Sequence, residues 1–210
     1  MDGSTTADLP LTRVARRKEK TRRVLLEVAL GLFYEKGIYW TKIEDITERA
    51  DVGKGTFYQY FGTKEDLLAE LLKRGLAQLL MRTKEAIRVV RPGPELIKKI
   101  VEARLDFFVE NPEYLLLFHQ IRGLLQLRTD SSKELREIYI AHLDRLGELV
   151  RPALKGGAKK GPSARDFSVA LAAFTSGLLT YHLLFGKADN FKHRRTAIAD
   201  QLEQSLRALN

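Results

Sequence analysis

Two helix-start signals flank a glycine turn between residues 41 and 66. The stretches "TKIE" (41–44) and "TKED" (63–66) each place a threonine three residues before an acid. This is a capping-box pattern, in which the two side chains satisfy free backbone amides at the start of a helix. The turn signal "DVG" (51–53) lies between them. The spacing predicts two short helices joined by a tight turn and followed by a longer helix, as in a helix-turn-helix motif.

The rest of the sequence is also patterned as helices. Apolar residues recur at spacings of three and four, as in the run 24–33, and no alternation of period two is long enough to predict a sheet. We therefore predict an all-α fold. The first helix should run from about Arg16 to Lys36 and end at Gly37, with Ile38 as the hydrophobic contact beyond the cap.

Glycine, proline and capping residues set the boundaries of the other predicted helices. Thr41 is predicted to cap the second helix, and the third should run through residues 54–60. The fourth follows the second capping box. Beyond residue 72, turn signals separate further predicted helices near 73–90, 94–110, 112–127, 132–155, 163–185 and 194–208.

Composition excludes several classes of function. The chain has 210 residues, 44% of them hydrophobic, and is long enough to bury a core. Cysteine is absent, and the four histidines are scattered without a ligand spacing, so we expect no metal site. No Ser/His/Asp or paired-carboxylate pattern predicts an enzyme, and nothing predicts a cofactor. The polar N-terminus lacks the apolar run of a signal peptide, which favours a cytoplasmic protein.

Charge alone does not identify a binding surface. The net charge is +9, but residues 1–68 hold 12 basic and 11 acidic residues, so most of the excess lies elsewhere. One local cluster, "RVARRKEKTRR" (13–23), has seven basic residues and one acid. It fits either a basic arm that meets a phosphate backbone or a solvated helix end. The sequence leaves both interpretations open.

The stretch "GKGTFYQYF" (53–61) looks like a phosphate-binding loop but lacks the required order, because Gly55 separates Lys54 from Thr56. On a helix, Phe57 and Phe61 are one turn apart and face the core together. Gly55 and its neighbours at 58 and 59 then lie on the opposite face. A glycine within a helix costs nearly ~1 kcal/mol relative to alanine, which makes sense where the backbone must approach another surface.

The residues on that outer face have the chemistry of DNA recognition. Gln59 can donate to and accept from an adenine edge, and Lys54 can reach the acceptors of guanine. Hydroxyl groups and a cation near a helix start suit phosphate oxygens. Phosphate contacts are therefore predicted for Thr56, Tyr58, Tyr60 and Lys64. For each residue taken alone, an ordinary solvated or half-buried position is the simpler interpretation.

The run "ITERADVGKGTFYQYFGTKEDLL" resembles the N-terminal DNA-binding domain of the tetracycline-repressor (TetR) family, over about residues 16–72. The resemblance implies that the second and third helices read DNA, with Lys54, Gly55, Thr56 and Gln59 in or near the groove. It also implies phosphate contacts from Thr41, Tyr58, Tyr60 and Lys64. The sequence departs from the family at Gly53, where many members carry a serine or threonine cap.

The resemblance further implies a division into three parts. These are a flexible tail (1–15), a DNA-binding domain (16–72), and a domain for ligand binding and dimerisation (73–210). The two helices near 163–185 and 194–208 would form a homodimer interface, so that the operator should be palindromic. Within them, residues 167–186 contain no acid, lysine or arginine. This length also fits a membrane span, although a buried helix with close-packing small residues fits better.

The segment "FFVENPEYLLLFHQIRGLLQL" (107–127) is rich in aromatic and aliphatic residues with scattered polar ones, as expected around a ligand pocket. Plain core packing is the alternative for each residue. Gly75 is either a bending point of the fourth helix or a tolerated surface glycine. The candidate pocket residues are Phe108, Tyr114, Phe118, His119, Arg122, Tyr139 and His182.

The sequence therefore favours a homodimeric regulator of transcription that binds double-stranded DNA and a small apolar or amphipathic effector. We expect a repressor that the effector releases from its operator, with the fourth helix transmitting the change. The alternative is an all-α architectural DNA-binding protein without effector control.

Overall fold

The computed structural model describes residues 13–126, 130–154 and 163–185, together with positions 196, 197, 199, 200 and 204. All the secondary structure in these residues is helical, which confirms the all-α prediction. The contacts within the chain define two compact units, residues 1–64 and 65–210.

Residues 13–64 of the first unit contain three helices. They are α1 (Arg13–Lys36), α2 (Ile43–Arg49) and α3 (Lys54–Tyr58), and α4 (Lys64–Ile87) begins at its last residue. Helix α1 begins three residues before the predicted start at Arg16, because the first residues of the basic cluster are already helical. Helix α3 is five residues long and ends two residues earlier than predicted.

The end of α1 has the predicted glycine cap. Gly37 adopts φ 86°, a left-handed conformation that costs glycine little. Its amide donates to the carbonyl of Phe33 at 3.0 Å, and Ile38 beyond the cap is buried. This is the pattern of a helix that ends on a left-handed residue with a hydrophobic contact after it.

The prediction that Thr41 caps α2 was wrong, because the cap lies one residue later. The amide of Lys42 donates to the side chain of Asp45 at 2.7 Å, which fixes the start of the helix there. The Thr41 side chain is instead fully buried. Its hydroxyl donates to the carbonyl of Gly37 at 2.7 Å and so joins the end of α1 to the start of α2.

The turn between α2 and α3 orients the third helix. Asp51 adopts a left-handed conformation (φ 51°), and the following amide, of Val52, donates to the carbonyl of Thr47 at 3.0 Å. The turn directs Phe57 inward, where this side chain and that of Phe61 are buried with ring centroids 5.7 Å apart. The predicted inner face of α3 is thereby confirmed.

The second unit contains the remaining helices. They are α4, α5 (Pro94–Glu110), α6 (Pro112–Leu124), α7 (Asp130–Val150) with a 3-10 turn at Arg151–Ala153, and α8 (Ala164–Phe185). Helix α4 is continuous through the point at residue 72 where the predicted domains divide. The predicted helix at 194–208 lies outside the described residues except at the five positions named above.

Proline and asparagine fix the boundary between α5 and α6. Asn111 ends α5 by donating from both its amide and its side chain to the carbonyl of Phe107, at 2.9 and 2.7 Å. Pro112 then occupies the first turn of α6, where its missing N–H leaves no bond unmade. The two helices are therefore sequential neighbours with a junction of one residue.

Gly75 is a packing position in α4, not a surface glycine. A β-carbon placed there would lie 2.5 Å from the ring of Tyr114 and 2.9 Å from the ring of Phe118. Both rings belong to α6, so the absence of a side chain at 75 allows α4 and α6 to approach closely. That this glycine bends the helix stays a prediction.

This packing leads to a paired test with one substitution at two glycines. Gly75→Ala should lower the free energy of unfolding by about 1–3 kcal/mol, because two rings must move. Gly123→Ala, in α6, adds the same methyl group where no atom lies within 4 Å. It should raise the free energy of unfolding by up to ~1 kcal/mol through helix propensity. Urea titration followed by circular dichroism measures both; equal effects at the two sites would contradict the packing argument.

Helix α8, which the sequence predicts to be buried all round, has two different faces in the single chain. Ser168, Thr175 and Ser176 are buried on the inner face. The outer face is exposed and largely apolar; it includes Val169, Ala173, Phe174, Gly177, Tyr181 and Phe185. Within the described residues, none of the helices combines the length and the hydropathy that a membrane crossing requires.

Candidate nucleic-acid interface and effector site

The outer face of α3 is a small exposed surface built on a buried phenylalanine. Lys54, Gly55, Tyr58 and Gln59 are all exposed, while Phe57 between them is fully buried. The space around Gly55 is open, since a β-carbon there would meet no atom within 4 Å. These four residues form what we call the α3 face. It brings together the residues that the sequence predicts for contact with bases and one predicted for phosphate.

Lys54 is held by a carboxylate in the structure. Its ammonium group donates a hydrogen bond to the side chain of Glu44 on α2, and both side chains are more than half exposed. This hydrogen bond lowers the pKa of Glu44 and raises the pKa of Lys54 from their ordinary values. A base contact by Lys54 therefore requires the lysine to leave Glu44.

The other predicted phosphate contacts differ in their surroundings. Thr56 and Tyr60 are half-buried beside the α3 face. The ammonium group of Lys64 donates to the carbonyls of Ile38 and Thr41, at 3.0 and 3.1 Å. Because an ammonium group has three protons, this lysine can close the corner after α1 and still present a donor.

Thr41 is the one predicted DNA contact whose side chain is inaccessible. It is fully buried, and its hydroxyl proton is directed at a backbone carbonyl of the protein. A phosphate oxygen needs a donor that faces solvent. We therefore leave the Thr41 side chain out of the proposed interface.

The sequence interpretation passed over an exposed aromatic pair in the same unit. Tyr39 and Trp40, in the corner after α1, are 82% and 72% exposed, and their rings meet edge to face at 5.0 Å. Two large aromatic side chains exposed side by side form a small apolar patch, which is a candidate contact surface. The signal was available in the sequence, since "GIYWT" (37–41) places two aromatic residues directly before a helix start.

In the second unit, three predicted pocket residues form one aromatic cluster. Phe108 of α5 contacts Phe118 of α6 edge to face at 5.8 Å, and Phe118 lies 5.9 Å from Tyr114. All three are buried. His119, by contrast, is exposed on the other side of α6, and we leave it out of the candidate site. His182 lies in α8, and its side chain is outside the described residues.

A polar layer, formed by Arg104, Arg122 and His142, lies next to this aromatic cluster. The sequence interpretation found only part of this layer. Arg122, which was predicted, donates to the hydroxyl of Ser176. Arg104, which was not, is 3% exposed and donates from Nε to the hydroxyl of Thr175 at 3.3 Å. His142 of α7 is 4% exposed. Arg104 could have been found from its spacing, since it continues the buried stripe of α5 that leads to Phe108.

The polar layer has unusual electrostatics. Burial lowers the pKa of Arg104 to about 10, although the neighbouring Tyr139 opposes the shift and Arg122 adds to it. Burial also lowers the pKa of His142 to about 3, with the charge of Arg104 contributing. At neutral pH the layer thus contains two guanidinium cations and a neutral imidazole.

The amino-acid sequence of this chain is similar to those of known regulatory proteins. Residues 25–71 match the family of bacterial regulatory proteins described as the tetR family. The transcriptional activator FasR of Mycolicibacterium smegmatis is 28% identical over 102 residues, which are 48% of this chain and 47% of FasR. The transcriptional repressor NicS of Pseudomonas putida is 26% identical over 171 residues, or 80% of this chain and 77% of NicS.

A solved structure has the same fold. FadR of Bacillus subtilis, a transcriptional regulator crystallised with stearoyl-CoA, superposes with a TM-score of 0.71 at 19% identity, covering 87% of this chain and 95% of that one. The helix-turn-helix unit and the helical second unit define a DNA-binding regulator. Residues 25–71, which include the helix-turn-helix, belong to the tetR family of bacterial regulatory proteins.

Proposed function

We propose that this protein is a homodimeric repressor that binds a palindromic operator through the α3 face and leaves it when a small amphipathic effector binds the second unit. The observation that carries the proposal is the α3 face itself. It presents a lysine and a glutamine, which are base-reading side chains, beside a glycine that lets the backbone approach DNA. Tyr58, Tyr60, Thr56 and Lys64 are the proposed phosphate contacts. Catalysis plays no part in this function.

The outer face of α8 supports the proposed dimer. It carries Phe174 and Phe185, which are 40% and 76% exposed, next to the small residues Ala173 and Gly177. A face of this kind lets two helices approach closely and bury large side chains against each other. The proposed interface pairs α8, and the segment 194–208 that follows it, with the same elements of a second copy.

The relatives support effector control without fixing its direction. FasR is an activator and NicS a repressor, and FadR was crystallised with an acyl-coenzyme A. Repression is proposed because an effector that binds more tightly to a dimer whose two α3 faces are wrongly spaced for the operator must lower operator affinity. The loss of operator affinity is set by how much more tightly the effector binds that state of the dimer than the DNA-binding state.

Selection of random double-stranded DNA by the purified protein tests the proposal. The selection is run at about 150 mM salt, where screening suppresses loosely electrostatic binding. The expected result is enrichment of an inverted repeat whose half-sites are separated by whole helical turns. Enrichment of a single half-site would contradict the dimer, and the absence of enrichment would contradict sequence reading.

The ion pair on the α3 face gives a prediction for affinity. Glu44→Gln should raise operator affinity about two- to tenfold, because it frees Lys54 and removes a negative charge that faces the phosphates. Fluorescence anisotropy with a labelled operator measures the change.

The matched control is Glu35→Gln. It breaks an equally exposed ion pair, with Arg49 at 2.7 Å, and changes the net charge by the same amount. Because Arg49 is not in the α3 face, the operator affinity of the Glu35→Gln variant should differ from that of the unchanged protein by less than about twofold. An equal gain in both variants would mean that net charge, not the release of Lys54, sets the affinity.

A further inference from the structure

The polar layer contains three buried nitrogen atoms that have no hydrogen-bond partner among the residues the structure describes. They are Nη1 of Arg104, Nε of Arg122 and Nε2 of His142. Buried polar groups in proteins are nearly always paired, and each exception needs an explanation. Three exceptions in one layer, formed by α5, α6 and α7, indicate a common cause.

In the described part of the chain, no carboxylate balances the two arginines. Within the described residues, Arg104 and Arg122 take part in no ion pair, and their protein partners are the neutral hydroxyls of Thr175 and Ser176. Those hydroxyls do not depend on the arginines, since each also donates to a carbonyl of its own helix. A buried guanidinium without a counter-charge is costly, so the protein keeps Arg104 at the expense of stability, and Arg122 beside it is half-buried with a buried Nε.

The helices place these cations beside an apolar wall. Arg104 lies one turn before Phe108 on α5, and Arg122 lies one turn after Phe118 on α6. The rings of Phe108 and Phe118 meet at 5.8 Å, and the charge of Arg122 acts on Arg104. The interior between α5 and α6 thus has a cationic end and an aromatic end, one helical turn apart.

We infer that Arg104 and Arg122 form an anion-binding site for the effector, which carries a carboxylate or phosphate joined to an apolar group. The acid accepts hydrogen bonds from the unpaired guanidinium nitrogens, and the apolar group lies toward the aromatic cluster. Tyr139 and His142, both near Arg104, border the acid. This inference rests on the proposed function only in placing the effector in the second unit.

A binding experiment without DNA tests the inference. Isothermal titration of the full-length protein compares decanoate and decyl phosphate with decanol, which has the same chain and no charge. The protein should bind one of the acids at least about tenfold more tightly than decanol, since hydrogen bonds to charged groups are the strong ones. Preference for decanoate identifies a free acid as the effector class; preference for decyl phosphate identifies a phosphorylated one.

Two variants locate the site. Arg104→Met and Arg122→Gln should each weaken binding of the preferred acid about 10- to 100-fold and leave binding of decanol unchanged. Arg104→Met should also raise the Tm of the protein without ligand, because it replaces an unbalanced buried charge by an apolar side chain. Arg82→Gln is the control: this arginine is half-buried on α4, pairs with Glu110, and should not affect the preference for the acid.

The inference is overturned if decanol binds as tightly as both acids, if neither acid binds, or if the preference survives in either arginine variant. Survival of the preference with a lowered Tm is the result expected if the arginines only hold α8 in place. Because the titration contains no DNA, these outcomes are independent of the operator selection. A failed selection with intact acid binding would overturn the proposed function alone.

Discussion

Phe57→Ala is expected to lower the free energy of unfolding of the helix-turn-helix unit by about 3–5 kcal/mol, the usual cost of removing a buried aromatic ring. The side chain is fully buried in a helix of only five residues. Such a short helix has no stability of its own, so its position depends on this ring. Since whole domains are stable by only about 5–15 kcal/mol, much of the unit should unfold.

Urea titration followed by circular dichroism measures this loss, and the neighbouring residue provides the control. Tyr58 is 49% exposed, and its ring meets Phe57 edge to face at 5.5 Å. Tyr58→Ala should therefore cost less than about 1.5 kcal/mol in stability. Its main effect should be weaker operator binding at an unchanged fold. The opposite order of stabilities would show that α3 is not held by its inner face.

The two faces of α3, with Phe57 inside and Tyr58 outside, could be predicted from the sequence. On α3, the spacing of Phe57 and Phe61 alone separates the inner face from the outer one. Gly37 and Pro112 are similarly local signals, because each restricts the backbone regardless of the rest of the chain. Helix boundaries that depend on such residues agree with the structure to within a few residues.

Where two local signals compete, the sequence could not decide between them. The pattern Thr41-x-x-Glu44 and the pattern Lys42-x-x-Asp45 are offset by one residue, and only the first has a typical capping side chain. In the structure the hydroxyl of Thr41 finds a carbonyl at the end of α1, and Asp45 caps α2 instead. The outcome depends on a contact between helices, which local patterns do not contain.

The candidate effector site shows a second limit of sequence interpretation. Aromatic residues in an apolar segment predicted Phe108, Tyr114 and Phe118, and these do lie together. Arginine is usually a surface residue, so Arg104 was not considered, although its spacing on α5 places it on the buried face. Whether a charged side chain is buried depends on how the helices pack against each other, which the pattern within one helix does not show.

The two sites also differ in how they use charge. On the α3 face, Lys54 is exposed and pairs with Glu44, so that its charge is balanced until DNA replaces the carboxylate. In the polar layer, Arg104 and Arg122 have no such balance within the described residues. An exposed ion pair is weak and easily exchanged, whereas a buried uncompensated charge favours any ligand that neutralises it. Each arrangement suits its proposed role, reversible contact with DNA in one unit and tight ligand binding in the other.

Phe174→Glu is expected to convert the proposed dimer into a monomer. Phe174 is 40% exposed at the centre of the outer face of α8. Two-fold symmetry would place two copies of the new carboxylate at one interface, where like charges without a partner are strongly unfavourable. Analytical ultracentrifugation should show the mass of a single chain instead of two.

The same substitution should lower operator affinity at least about 100-fold, because two linked reading heads gain that much from binding one DNA together. Met81→Glu is the matched control, since Met81 is 64% exposed on α4 and the change in size and charge is similar. That variant should remain a dimer and keep its affinity. If Phe174→Glu stayed dimeric, the interface would lie on another face of the second unit. If it became monomeric without loss of affinity, the operator would be read by one head alone, and the palindrome would have no physical basis.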